Sequence, residues 1–202
     1  MRQGAAMFAV ISMLIVAVSG CRAYPVQPMP QMAVDEAPTR SNVGGARFGA
    51  KAYTNGVETK AVFNFDLLSN GFLPVLIIVD NESSSEVQIL RARVELETPS
   101  GERLEPISAE AVATGAGRNA LAEAIFFFGV FSYADANKYN DALVRDWVDK
   151  GFSEVQILRP GRTLTRFLYF RVGQDFAPSG ATLRVPFERD SRGSREVAVL
   201  RF

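Results

Sequence analysis

The sequence predicts a mainly β domain interrupted by a helical insertion at about residues 108–150. Three observations carry this. LPVLIIVDN, from Leu73 to Asn81, is almost continuously apolar, as expected of a strand covered on both faces. Segments of alternating polarity surround it, among them Leu90–Glu97 and the closing pair TLRVPFERD and REVAVLRF. After Ile107 the composition shifts to small residues and helix formers, and strand character returns only after Gly151.

The chain opens with Arg2 and a run of fourteen uncharged residues, AAMFAVISMLIVAV (5–18). That is signal-peptide length and falls short of the roughly 20 apolar residues that span a bilayer. Ser19 and Gly20 follow, then Cys21, the one cysteine in the sequence. An aliphatic residue, two small residues and a cysteine, VSGC, resemble the lipobox of bacterial lipoproteins. The resemblance implies that residues 1–20 are removed. The Cys21 thiol then carries a diacylglycerol, and its new amino group is acylated. In Gram-negative members an Asp after the cysteine favours inner-membrane retention. Arg22 stands there, so the resemblance implies the outer membrane, with the protein facing the periplasm. Three acyl chains, each worth about 0.8 kcal/mol per buried CH₂, hold far more firmly than one.

Residues 21–46 contain four prolines and end in Gly44-Gly45-Ala46 without periodicity, and are expected to form a tether. The domain is then expected over 47–202. Asn55-Gly56, between RFGAKAYT and VETKAVFNF, is a hairpin signal. Leu90, Ala92, Val94 and Leu96 should share one face of a strand, with Arg91, Arg93, Glu95 and Glu97 on the other. Thr98-Pro99-Ser100-Gly101 fits a type I turn. In the insertion, Tyr139, Leu143 and Trp147 recur at helical spacing and Gly151 supplies a stop. Leu164, Leu168, Phe170 and Val172 should share a strand face, and Pro186 suggests an edge strand.

SEVQILR occurs twice, at Ser85–Arg91 and Ser153–Arg159. No longer period accompanies it, so the identity reads as two strands with similar local demands rather than as a repeat array. VDNES (79–83), PSG (99–101) and LRPG (158–161) with Phe167 resemble pieces of immunoglobulin-like β-sandwich domains of bacterial envelope proteins. That resemblance implies an antiparallel sandwich and a binding or scaffolding role. The helical insertion departs from it.

Composition narrows the chemistry. There is no histidine, and lipidation would consume the only thiol. His-based triads, Cys–His nucleophiles, common zinc sites and internal disulfides are therefore excluded. Lys and Arg total 22 against 22 Asp and Glu, and no basic stripe supports nucleic-acid binding. Asp80, Glu82 and Glu86 cluster without the spacing of a calcium loop and read as a solvated turn. Neither the motifs nor their spacings yield a catalytic residue, cofactor site or metal site. AIFFFGVF (124–131) is apolar on every side if helical, so Phe126, Phe127, Phe128 and Phe131 form either core or an interaction surface. The expected function is a non-catalytic, lipid-anchored envelope protein that scaffolds or binds an envelope component. Two alternatives stand beside it: a carboxylate-dependent enzyme on a cell-wall or glycan substrate, and a subunit docking to a membrane complex through the insertion.

Overall fold

The computed structural model describes residues 24–116, 133–173, 176–189 and 194–202. Among them run ten strands. The first six are β1 (Thr39–Val43), β2 (Ala46–Ala52), β3 (Phe72–Asn81), β4 (Val87–Leu90), β5 (Glu95–Glu97) and β6 (Arg103–Leu104). After the insertion come β7 (Val155–Leu158), β8 (Thr163–Arg171), β9 (Thr182–Arg189) and β10 (Ser194–Arg201). The helices are α1 (Gly56–Phe63), α2 (109–116) and α3 (Tyr133–Lys150). One sheet has the order β1-β2-β3-β8; the other runs β6-β5-β9-β4-β7, with β10 paired to β9. Every strand pairing is antiparallel.

β3 dictates the layering. Its side chains alternate between two separate cores. Leu73, Val75, Ile77 and Val79 point into the sandwich between the sheets, with Phe48, Ile89, Leu96, Phe170, Leu183 and Phe187. Phe72, Leu76 and Ile78 point the other way, toward Tyr24, Phe63, Val112, Leu143 and Trp147. The molecule thus has three layers: sheet, sheet, and a cover built from helices and the N-terminal segment. β8 serves both cores in the same way, with Leu168 and Phe170 on one side and Phe167 and Tyr169 on the other. Pro74 is tolerated in β3 because its carbonyl accepts from Tyr53 just where β2 ends, so its missing N–H lies beyond that ladder.

Several sequence expectations are met. The insertion carries helices at both described ends, and Tyr139, Leu143 and Trp147 face the second core. The closing hairpin pairs β9 with β10 over their full length. The 98–101 turn closes with the Gly101 amide donating to the Thr98 carbonyl at 2.9 Å.

Four expectations are corrected. Residues 24–46 are no tether: Tyr24, Val34 and Ala37 are buried in the second core, Val34–Glu36 forms a 3-10 turn, and β1 pairs with β2. The folded unit therefore begins by Tyr24, not at Arg47. Gly49 makes the close approach possible, since a Cβ there would lie 2.8 Å from the Ala37 Cβ. Second, the hairpin turn is Gly44-Gly45, both at positive φ, whereas Asn55-Gly56 opens a helix. The Asn55 side chain accepts from the Glu58 amide at 2.8 Å and caps α1. Third, Leu90–Glu97 is two strands. A 3-10 turn at Arg91–Arg93 separates β4 from β5 and leaves Ala92 exposed, so inward positions change from Val87 and Ile89 to Val94 and Leu96. Fourth, β9 is not an edge strand. β10 lines one side of it and β4 and β5 lie end to end along the other. Pro186 falls in the break between β4 and β5, where that side requires no ladder partner.

Asn81 fastens the point where the chain crosses between sheets. Its side-chain amide donates to the Ser85 and Leu158 carbonyls, both at 2.8 Å, and its Oδ1 accepts from the Ser83 amide and hydroxyl. Its backbone bonds Gly161 and Arg162. The VDNES and LRPG segments are joined at this one residue. Asn81→Ala would leave several buried groups without partners and is expected to cost about 2–4 kcal/mol, measured as a fall in the urea midpoint at unchanged slope.

Candidate functional site

The covering layer contains a buried polar cluster drawn from three distant parts of the chain. Tyr24 arrives on the N-terminal segment, the Val62 and Phe63 carbonyls from the end of α1, and Asp146, Trp147 and Lys150 from the last turns of α3. The Tyr24 hydroxyl lies 2.9 Å from Asp146 Oδ2 and 3.1 Å from the Phe63 carbonyl, and it accepts from Trp147 Nε1 at 3.2 Å. Lys150 Nζ sits 2.6 Å from both Asp146 oxygens, with the two side chains only 5% and 3% exposed. It also donates to the Val62 carbonyl at 3.0 Å, placing a cation at the C-terminal end of α1, where the helix dipole favours it. The i,i+4 spacing of Asp146 and Lys150 puts both on one face of α3.

Among the described residues each polar atom of this cluster has a partner, so the arrangement fastens the N-terminal segment, α1 and α3 together. Burial pushes the Tyr24 hydroxyl well above the usual phenol range, with the Asp146 carboxylate adding to the effect. Tyr53 is pushed up to about 12 by burial and by Glu58, and Tyr169 also rises, chiefly through burial.

A second feature is a cleft of about 520 Å³ where the insertion leaves and rejoins the sandwich. Arg91, Ser108, Glu110, Gly151, Ser153 and Glu154 are among the residues that line it. Ser108 caps α2, its hydroxyl accepting from the Ala111 amide. A Cβ at Gly151 would lie 2.9 Å from that of Ala109, so glycine lets the two ends of the insertion touch. Arg91 donates to the Phe152 carbonyl at 3.2 Å. Glu110 and Glu154 are both exposed to water.

The residues singled out in the sequence fall as follows. Cys21, Phe126, Phe127, Phe128 and Phe131 lie outside the described residues. The Asp80–Glu82–Glu86 cluster is engaged by cations. Arg47 holds Asp80 at 2.9 Å and Glu82 at 2.8 Å, the latter as an ion pair rather than an in-line hydrogen bond, and Arg159 lies 3.7 Å from Glu86. Among the described residues no group of acidic or sulfur ligands is arranged for a metal. The buried cluster escaped sequence reading because its members are 122 positions apart. Asp146 and Lys150 at i,i+4 beside Trp147, on the apolar face of α3, were the one available signal.

Two outcomes follow. Lys150→Met leaves the Asp146 carboxylate buried without its cation and should cost about 3–5 kcal/mol, whereas Lys150→Met combined with Asp146→Leu should recover much of that loss. Chemical denaturation of both variants measures the difference. Second, a phenol whose folded pKa is raised stabilises the fold fully below its unfolded value, near 10, and loses that contribution as pH rises toward the folded value. The thermal midpoint should therefore fall above pH 10, and Tyr24→Phe should flatten that fall while lowering the midpoint at neutral pH.

No protein-family model matches this chain, and no curated protein matches it. Among solved structures, the YjhA protein of Bacillus subtilis is similar at a TM-score of 0.38 and 13% identity, over 73% of this chain and 77% of that one. A likeness at that level lends no weight to either fold or function.

Proposed function

We propose that this chain is a non-catalytic lipoprotein of the cell envelope, anchored through Cys21, whose domain scaffolds or binds an envelope component close against the bilayer. The observation that carries the reading is the short distance between the lipobox cysteine and the first described residue, which is buried. Tyr24, three positions after Cys21, is only 5% exposed and bonded into the cluster on α3. Three residues of chain reach about 10 Å at most. An acylated Cys21 would therefore hold the layer of α1 and α3 at the headgroups, with no slack for the domain to swing away. The two-sheet architecture, with Asn81 joining the VDNES and LRPG segments, supports reading the sandwich as immunoglobulin-like. Domains so built carry binding surfaces on edges and loops, and the Arg91 cleft is open to a ligand.

Mass spectrometry of the mature N-terminus should show a triacylated Cys21, and Cys21→Ser should move the protein from membrane to soluble fractions. An unmodified Cys21, or a mature chain starting elsewhere, sinks the anchor. Trp147, the only tryptophan, reports on the geometry because it bonds Tyr24 directly. Energy transfer from Trp147 to dansyl-labelled headgroups should be strong. It should drop when a long Gly-Ser linker is inserted between Arg22 and Ala23. Equal transfer with and without the linker would contradict a domain held at the bilayer.

A further inference from the structure

The two copies of SEVQILR meet. β4 and β7, the strands at their centres, pair with each other antiparallel, Val87 opposite Leu158 and Ile89 opposite Gln156. Strand β7 lies at the end of its sheet, so its other edge has no strand beside it among the described residues. The Arg91 amide donates to the Glu154 carbonyl, which fixes the ladder phase. The backbone groups of Gln156 and Leu158 turn toward β4, and those of Val155 and Ile157 turn outward. No described residue bonds them.

The side chains at this edge are unusual too. Elsewhere the outer face of this sheet carries ion pairs, Arg93 and Arg195 with Glu188, Arg184 with Glu97 and Arg103 with Glu95, and one other exposed large apolar side chain, Val197, among the described residues. On β7 that face carries Val155 and Ile157, 44% and 59% exposed, beside half-buried Leu90. Solvent-facing edge strands are ordinarily protected by a lysine, a proline or a bulge. The four residues of β7 contain no such device; Glu154 and Arg159 stand only at its ends.

We propose that β7 is a self-association edge, and that its partner is β7 of a second copy of this chain, paired antiparallel about a two-fold axis. The β4–β7 ladder shows VQIL pairing antiparallel with VQIL, and a second β7 presents those four residues again, in a register one residue removed from that ladder. Placing Gln156 opposite its own copy brings every outward group of β7 into a bond. Val155 and Ile157 of one copy then exchange backbone hydrogen bonds with Ile157 and Val155 of the other. The same register stacks four β-branched side chains into one patch on the outer face, a favoured cross-strand pairing. It also sets the acidic end of each strand, at Glu154, beside the basic end of the other, at Arg159. The two-fold symmetry closes the assembly at two copies.

The test uses the full chain in mild detergent. Density-matched sedimentation should show a concentration-dependent dimer. Ile157→Lys supplies the missing edge protection at an exposed site, so folding should persist, checked by the thermal midpoint, while dimer dissociation becomes easier by on the order of tenfold. Gln156→Cys places two thiols opposite each other in a non-hydrogen-bonded pair, where Cα atoms lie about 4.5 Å apart, within disulfide range. Mild oxidation should link the copies, and the parent chain, with Cys21 alone, should give no such link. A parent protein that stays monomeric at every attainable concentration overturns the proposal. So does a dimer that survives Ile157→Lys unchanged while Gln156→Cys fails to link.

Discussion

A strand that is apolar on both faces imposes the rest of the structure. β3 has no water-compatible side, so the sheet built around it must be covered twice. The second sheet covers one face through ordinary sandwich packing. The other face is covered by pieces with no sequence continuity: the segment from Tyr24 to Ala37, α1, and the two ends of the insertion. Short elements cannot hold that position alone, because each buries only one side against the sheet. Their polar groups are drawn inward with them, and these must find one another. The cluster of Tyr24, Asp146, Trp147 and Lys150 with the α1 carbonyls is the result: it joins the N-terminal segment, α1 and α3 where apolar packing alone would let them slide.

What was legible in the sequence follows period and length. The continuous run of β3, buried on both faces, and the alternation of β9 and β10 and the helical spacing of Tyr139, Leu143 and Trp147, each with one buried face, commit to one structure. The misreadings share a cause, which is that local signals are ambiguous until a tertiary partner selects among them. Gly-Gly at 44–45 fits a linker as well as a two-residue turn, and only the pairing of β1 with β2 decides. Asn-Gly at 55–56 fits a turn as well as a cap, and Glu58 at the third helical position decides. Prolines at 25, 28, 30 and 38 each remove a backbone donor and break regular secondary structure, which suits a tether and a strap laid across a core equally. Alternation from Leu90 to Glu97 was real in composition. It broke because β9 is met by two strands end to end and the chain must step between them at Arg91–Arg93.

The repeated heptapeptide shows how an observation can be legible while its meaning is not. Identity of SEVQILR at two places was plain, and both copies form strands. That the two strands pair with each other was not available without the ladder. The identical chemistry also produces unequal outcomes. In β4 the valine and isoleucine are buried, whereas in β7 the same residues face water and leucine is the one turned inward. Antiparallel pairing with a one-residue offset in facing does this, since adjacent positions point to opposite faces. The first strand is thereby committed to the core, and the second is left with an apolar outer surface at a sheet edge.

The claim on which the layering rests is that residues before Arg47 are part of the fold and seal the second core. Denaturant unfolding of two chains, one beginning at residue 22 and one at residue 33, tests it most directly. Loss of the Tyr24 ring, of its bonds to Asp146 and Trp147, and of the packing of Met29 and Met32 should lower stability by about 3–5 kcal/mol. The slope with denaturant should also decrease, since less surface is exposed on unfolding. Identical midpoints and slopes for the two chains would contradict the claim and return residues 22–32 to the role of a tether.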